Sequence, residues 1–224
     1  MDTLVLPRPP VAFLLDFDGV ILDSAIFKAK AFARVYDAED PQRLAEVLNY
    51  STLHGGITRR DKFEHFERHV FGRDGDAATV DRLTAAYRDL VYDAVLRSAF
   101  IPGAERFLEL AHRRIGMHLV SGTPHDELVD IVERRGLTKY FASVQGAPPS
   151  KLESFKRIIE AHGYDPARSL AVGDALTEFV AASELGIPFL GIVADGLDNP
   201  FPGRIPVVAS LENVGPLLGL QRDG

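Results

Sequence analysis

The sequence predicts an α/β fold built on a doubly wound parallel sheet, and three observations lead to this prediction. The first apolar run, residues 11–15, has no polar alternation, which is typical of a strand covered on both faces. From residue 104 onward, short apolar runs alternate with segments of helical period, the pattern of strand and helix units around a parallel sheet. Residues 24–98 instead hold amphipathic helical patterns and no convincing strand.

The elements follow in order from these patterns. Further strands are predicted at residues 117–120, 141–144, 170–172, 188–193 and 207–209, with helices between them at residues 104–114, 126–135, 152–162 and 176–185. Several of these helices are followed by glycine, a common helix stop. We therefore predict a Rossmann-like core formed by residues 1–23 and 99–224, with residues 24–98 inserted as an all-helical cap domain.

Composition narrows the classes of function. The 224 residues include 25 Lys and Arg against 32 Asp and Glu, for a formal net charge of −7, and no basic block stands out. Nucleic acid is therefore not an expected partner. The chain has no cysteine, which excludes disulfides and thiolate metal sites. No signal peptide or long apolar span is visible, so we expect a cytoplasmic protein with no membrane association.

The first apolar run ends in two carboxylates. Asp16 and Asp18 are two residues apart, so both side chains lie on one side of an extended backbone, and Gly19 lets the chain turn away. Close carboxylates repel each other unless a cation intervenes, and Mg²⁺ prefers oxygen ligands. The pattern predicts a metal site, although a solvated Asp-Gly turn explains the same residues.

A second polar turn follows the strand at residues 117–120. Free N–H groups around Ser121 and Gly122 are expected to form an anion site to which the serine adds its hydroxyl. Thr123 is the predicted helix cap, and Pro124 suits the first helical turn. Simple helix capping is the alternative interpretation of this turn.

Two further motifs complete the set. Lys151 stands at the start of a predicted helix, where it opposes the helix dipole and is a candidate anion ligand, unless it is merely a solvated lysine. Asp174 follows the strand at residues 170–172, and Glu178 lies one helical turn later, so that both can face one cation. Alternatively, Asp174 caps the helix. All four motifs fall at predicted strand ends, which a doubly wound sheet gathers along one edge, and together they suffice for phosphoryl transfer.

With these motifs in this order, the chain closely resembles phosphatase-like members of the haloacid dehalogenase superfamily with a helical cap, the group of phosphoglycolate phosphatase and beta-phosphoglucomutase. The resemblance implies that Asp16 attacks phosphorus and that Asp18 protonates the leaving alcohol and then activates water. It also implies that Ser121 and Lys151 bind the phosphoryl group, and that Mg²⁺ is held by Asp16, Asp174 and the backbone carbonyl of Asp18. Glu178 stands where this group commonly has aspartate.

The cap supplies candidates for substrate binding. Arg59 and Lys62 lie in a segment that resembles the cap of phosphatase-like proteins accompanying nucleotide-sugar synthesis, which suggests a sugar phosphate as the small phosphate ester. A solvated charged face is the alternative for both residues, and Lys28 is a weaker candidate. The predicted function is a Mg²⁺-dependent phosphomonoesterase. A sugar phosphomutase of the same fold and a catalytically weak metabolite-binding protein are the alternatives.

Overall fold

A computed structural model describes residues 9–203, 205–212 and 214. It confirms the predicted fold class: six parallel strands form one sheet in the order β3-β2-β1-β4-β5-β6. The strands are β1 Ala12–Leu15, β2 Gly116–Pro124, β3 Ser143–Ala147, β4 Ser169–Gly173, β5 Phe189–Ile192 and β6 Val207–Val208. This order reverses between β1 and β4, and ligands of open α/β sheets bind beyond the strand ends at such a reversal.

The central strand β1 is apolar throughout because both of its faces are covered. Phe13 and Leu15 pack into the larger hydrophobic cluster on one side of the sheet, and Leu14 packs into the cluster on the other. In the sheet, Leu15 is level with Leu119 of β2 and with Val172 of β4. The residues that follow these three positions are therefore brought together at one edge.

Four helices flank the sheet and alternate with its strands. They are α5 Ala104–Ala111, α6 His125–Arg134, α7 Lys151–His162 and α8 Leu176–Glu184. Helix α7 begins with a capping box in which Ser150 and Glu153 each satisfy the other's backbone N–H, and it ends at Gly163 with a positive φ. Within the described part of the chain, no helix combines the length and the apolar character needed to cross a membrane.

Residues 24–98, all of which are described, form helices and no strand. These helices are α1 Ala25–Val35, α2 Pro41–Leu53, α3 Arg59–His65 and α4 Ala77–Arg97, with one π-helical turn after α3. Aromatic rings hold them together, since Phe32 of α1 stacks on Tyr87 of α4 and also contacts Phe63 and Phe66. The predicted limits of the cap domain, residues 24 and 98, stay a prediction.

Two predicted helix caps are wrong. Strand β2 continues to Pro124, and α6 starts at His125 without a side-chain cap, so Thr123 is a strand residue. Similarly, Ala175 is the N-cap residue of α8, so Asp174 does not cap this helix. By contrast, Thr58 caps α3, because its hydroxyl accepts a hydrogen bond from the backbone N–H of Asp61.

Candidate active site

Lys151 lies at the centre of the gathered strand ends. Its ammonium is 2.7 Å from Oδ1 of Asp16 and 2.9 Å from Oε1 of Glu178, and it donates to the backbone carbonyl of Val120 at 2.6 Å. These three contacts use all three of its N–H donors. Burial alone would lower the pKa of Lys151, but the two carboxylates outweigh it and hold the pKa above its ordinary value. Lys151 is therefore a permanent positive charge in the site.

Three carboxylates crowd around one point beside Lys151. Asp16, Asp174 and Glu178 each offer an oxygen, and these oxygens all lie within 4.8 Å of one another. Burial, reinforced by the neighbouring carboxylate of Glu178 and opposed by Lys151, raises the pKa of Asp16 to about 7. Burial and the charge of Asp16 also raise the pKa of Asp174 well above its ordinary value. One ammonium does not neutralise three ionised carboxylates, and the three oxygens are close enough to hold a further cation.

The donor set fits Mg²⁺. The set offers carboxylate oxygens, which this ion prefers, and among the described residues Oε2 of the fully buried Glu178 has no hydrogen-bond partner. Such an orphaned oxygen is costly unless a ligand satisfies it. The backbone of Gly19 lies close to the same cluster, and a Cβ added to it would be 2.1 Å from Oδ2 of Asp174. The φ of Gly19 is +80°, a conformation that favours glycine. Glycine is thus required at this turn.

Asp18 lies outside the carboxylate cluster. Its two oxygens accept hydrogen bonds from Ser24 and Lys28, each at 2.5 Å, and Lys28 also donates to the hydroxyl of Thr123 at 3.0 Å. Burial favours a raised pKa for Asp18, but the charge and hydrogen bond of Lys28 and the hydrogen bond of Ser24 lower it below its ordinary value. The metal contact predicted for Asp18 involves only its backbone carbonyl and stays a prediction.

The predicted anion turn is formed by the end of β2. Ser121 is 4% exposed, and its Oγ accepts a hydrogen bond from the backbone N–H of Thr123 at 3.1 Å. Gly122 faces the segment between α2 and α3, where a Cβ on Gly122 would come within 3.0 Å of the backbone carbonyl of Gly56. Ser121 and Gly122 line the same cavity as Asp16 and Asp174, and this cavity measures about 70 Å³.

The two predicted cap cations also line this cavity but differ in their partners. Arg59 forms a two-pronged ion pair with Glu127 of α6, at 2.6 and 3.0 Å. Lys62 donates to the backbone carbonyl of Ser51 at 3.2 Å. Lys28, the weaker candidate, is bound to Asp18. Ser24 and Glu127 are functional candidates that the sequence does not signal. Ser24 is a short polar residue at a helix start, and Glu127 lies 68 residues from its partner Arg59.

With this geometry established, comparison with known proteins decides the family. A sequence model of haloacid dehalogenase-like hydrolases matches residues 11–186, a range that includes every candidate site residue named above. The chain belongs to this family. The family match also makes it a hydrolase, in agreement with the resemblance seen in the motifs.

Individual members of the family resemble the chain over most of its length. The phosphoglycolate phosphatase of Synechococcus elongatus is 25% identical over 184 residues, which is 79% of this chain and 80% of that protein. CbbY of Rhodobacter sphaeroides, solved with phosphate, has a TM-score of 0.71 at 18% identity and covers 94% of this chain and 100% of its own. YfnB of Bacillus subtilis, solved with magnesium, has a TM-score of 0.71 at 16% identity, with coverages of 95% and 100%. The structural likenesses establish the fold.

Proposed function

We propose that this hydrolase is a Mg²⁺-dependent phosphomonoesterase that acts on a small phosphorylated metabolite through an aspartyl phosphate on Asp16. The observation that carries the proposal is the environment of Asp16. Its Oδ1 accepts hydrogen bonds from Lys151 and from the backbone N–H of Phe17, both at 2.7 Å, whereas its Oδ2 accepts none from the described residues. One oxygen is held and the other accepts no hydrogen bond from the described residues, in a side chain that lines the cavity, which supports a role as nucleophile.

The proposed reaction has two steps. In the first, Oδ2 of Asp16 bonds to phosphorus while the ester P–O bond breaks, and the leaving alkoxide takes a proton from Asp18. In the second, Asp18 removes a proton from water as that water attacks phosphorus, which releases phosphate and frees the Asp16 carboxylate. General acid and base help of this kind contributes about 10²- to 10⁴-fold. The Lys28 contact favours the ionised Asp18 that the second step needs, so Lys28 must release Asp18 for the first.

Charge neutralisation supports the same proposal. Asp16, Asp174 and Glu178 would hold Mg²⁺, together with the backbone carbonyl of Asp18. When bound, Mg²⁺ offsets the negative charge shared by these carboxylates and the phosphoryl group. Lys151 orients Asp16, and Ser121 with the backbone of Gly122 would bind the phosphoryl oxygens. Residues 24–98 would act as a cap that closes over the substrate with Arg59 and Lys62.

A sugar phosphomutase of the same fold would return the phosphoryl group to a sugar and release little net phosphate, so phosphate release separates the two reactions. The intact set of Asp16, Asp18 and Lys151 argues against a protein that only binds metabolites.

The test is phosphate release from a panel of phosphate esters, measured with Mg²⁺ and after removal of metal by EDTA. We expect release that requires Mg²⁺ and is lost in Asp16→Asn. The exposed Asp23, which follows on the same turn, provides the matched control, and Asp23→Asn should keep wild-type activity. Release that survives in Asp16→Asn, or silence of the wild type across the panel, would overturn the proposal.

A further inference from the structure

Glu178 is held in an orientation that its position in helix α8 does not itself provide. It is the third residue after the N-cap residue Ala175, a position where glutamate commonly turns back to the N-cap backbone N–H, as Glu153 does at the start of α7. Among the described residues, Glu178 does not make this contact with Ala175. Its carboxylate turns toward Lys151 instead, so other side chains must fix it.

Two donors hold one oxygen of this carboxylate. The hydroxyl of Thr177 donates to Oε1 of Glu178 at 3.0 Å, and the ammonium of Lys151 lies 2.9 Å from the same oxygen. Within the described part of the chain, the Thr177 hydroxyl makes no other hydrogen bond, and Oε2 of the fully buried Glu178 accepts none. The carboxylate therefore has one oxygen that is occupied and one that is available to a ligand.

The backbone of Gly56 shields the contact between Thr177 and Glu178 from water. A Cβ added to Gly56 would lie 1.7 Å from Oγ1 of Thr177 and 2.6 Å from Oε1 of Glu178, so the segment between α2 and α3 lies directly over these two side chains. A hydrogen bond that is excluded from water is stronger than an exposed one. Thr177 is thus able to hold Oε1 in place although the residue itself is only partly buried.

The number of oxygens that a carboxylate can offer affects which divalent ion it suits. Mg²⁺ demands nearly octahedral geometry with few protein ligands, whereas Ca²⁺ takes about six to eight oxygens and can bind both oxygens of one carboxylate. Because Thr177 and Lys151 engage Oε1, Glu178 offers a metal only Oε2. A carboxylate fixed in this way fits Mg²⁺ and does not supply the second oxygen that Ca²⁺ would use.

We infer that Thr177 is a positioning residue, which holds Oε1 of Glu178 so that Oε2 alone is presented to the metal, and which thereby favours Mg²⁺ over Ca²⁺. The inference rests on the proposed function, in which Glu178 binds Mg²⁺, and adds to it a residue that determines selectivity among divalent ions. Lys151 contacts the same oxygen but also binds Asp16 and the backbone carbonyl of Val120. Thr177 is the donor that serves Glu178 alone.

Calorimetric titration of metal-free protein with Mg²⁺ and, separately, with Ca²⁺ tests the inference without turnover. Thr177→Val keeps the shape of the side chain but removes the hydroxyl. We expect its Mg²⁺ affinity to fall about tenfold and its ratio of Mg²⁺ to Ca²⁺ affinity to fall at least about fivefold. Thr177→Ser retains the hydroxyl and should keep the wild-type ratio. The matched control is Thr52→Val, because Thr52 is exposed on α2 and donates to the backbone carbonyl of Leu48 at 2.9 Å.

A second variant, Thr177→Ala, removes the hydroxyl without placing a methyl group against Oε1 and should shift the ratio in the same direction, with thermal melting as the check on folding. An unchanged ratio in folded Thr177→Val or Thr177→Ala would overturn the inference, as would an equal fall in Thr177→Ser. A shifted ratio without phosphate release by the wild type would sustain the inference and overturn the phosphatase, and Mg²⁺-dependent release with an unchanged ratio would do the reverse. Because the expected change is in affinity, an excess of Mg²⁺ should fill the site in every variant.

Discussion

The carboxylate of Glu178 has one oxygen for Lys151 and one for the proposed Mg²⁺. Its Oε1 contacts Lys151 at 2.9 Å, and its Oε2 finds no partner in the described part of the chain although the residue is fully buried. The backbone leaves room for this side chain only because residue 173 is glycine, where a Cβ would lie 2.7 Å from Cβ of Glu178. The longer acid therefore reaches the same cluster as Asp16 and Asp174 from the first turn of α8.

Glu178→Gln tests the proposed metal role of this residue. The amide keeps the shape of the side chain but removes the charge, so we expect Mg²⁺ affinity to fall at least about tenfold. Calorimetric titration with Mg²⁺ measures the effect, and Glu184→Gln, an exposed change on the same helix, is the control. Unchanged affinity would mean that Glu178 serves only as a partner of Lys151.

Many of the site residues could be predicted from the sequence because each motif is local. The position of a polar residue directly after an apolar strand is known once the strand is placed correctly. For this reason Asp16, Ser121 and Asp174 come together at the strand ends. Lys151, at the start of α7, joins them there. The partner of a long side chain is different, since Arg59 finds Glu127 across 68 residues. Sequence spacing carries no signal for that contact.

Among the elements, the segment between α2 and α3 packs closely against the edge of the sheet at two glycines, Gly55 and Gly56. A Cβ on Gly55 would lie 2.8 Å from Cβ of Ala175, and one on Gly56 would lie 1.7 Å from Oγ1 of Thr177. Side chains there would hold the segment away from the cavity. The surface that these glycines contact could not be predicted from the sequence, because it depends on the packing of helices far apart in the chain.

Gly56→Ala should therefore impair closure. We expect kcat/KM to fall at least about tenfold, with the melting temperature close to wild type because the segment lies at the surface of the core. Steady-state kinetics provide the measurement, and Gly56→Ala/Thr177→Gly, which removes the clashing hydroxyl, should recover part of the loss. Full activity of Gly56→Ala would show that this close approach is not needed.

Helices α3 and α6 are joined by the ion pair of Arg59 and Glu127, whose side chains are 6% and 8% exposed. Removing one partner of a buried pair leaves an uncompensated charge, which typically costs about 3 kcal/mol or more, whereas replacing both is far milder. We expect Glu127→Gln to be clearly less stable than wild type in urea, and Arg59→Met/Glu127→Leu to recover most of the difference. A double variant no more stable than the sum of its single changes would contradict the coupling.

At the scale of the whole molecule, the strand order decides where chemistry occurs. The reversal between β1 and β4 places Asp16 and Asp174 on neighbouring strands, and β2 on the other side of β1 brings Ser121. Alternating apolar and helical segments predict a parallel sheet, but they do not reveal which strands are neighbours. That information lies in long-range pairing, and the family resemblance supplied it here.

The stability of the whole fold should depend on His118. This residue is fully buried in β2, with its ring nitrogens 2.8 Å from Oγ of Ser143 and 3.2 Å from the hydroxyl of Tyr164. Burial and the neighbouring His162 lower its pKa from 6.5 to about 4. Between these values the unfolded chain binds more protons, so stability is complete above 6.5 and falls as pH decreases toward 4.

We therefore expect acidification from about pH 7.5 to about pH 5.5 to cost wild type about 1 kcal/mol more than His118→Gln. Urea unfolding of both proteins at both pH values measures this difference, and groups common to the two proteins cancel. Parallel losses in wild type and variant would show that His118 does not titrate as its burial predicts.

Phosphorylation of Asp16 during turnover is the step on which the proposed mechanism depends, and it can be detected chemically. Wild-type protein mixed with Mg²⁺ and the ester that it hydrolyses fastest is quenched in acid within one turnover, digested and examined by mass spectrometry. We expect a phosphoryl group on the peptide containing Asp16, specifically on that residue. Its appearance should keep pace with release of the alcohol, and Asp16→Asn should show none. Release of phosphate while Asp16 stays unmodified, or a phosphoryl group on another residue, would rule out the aspartyl-phosphate mechanism.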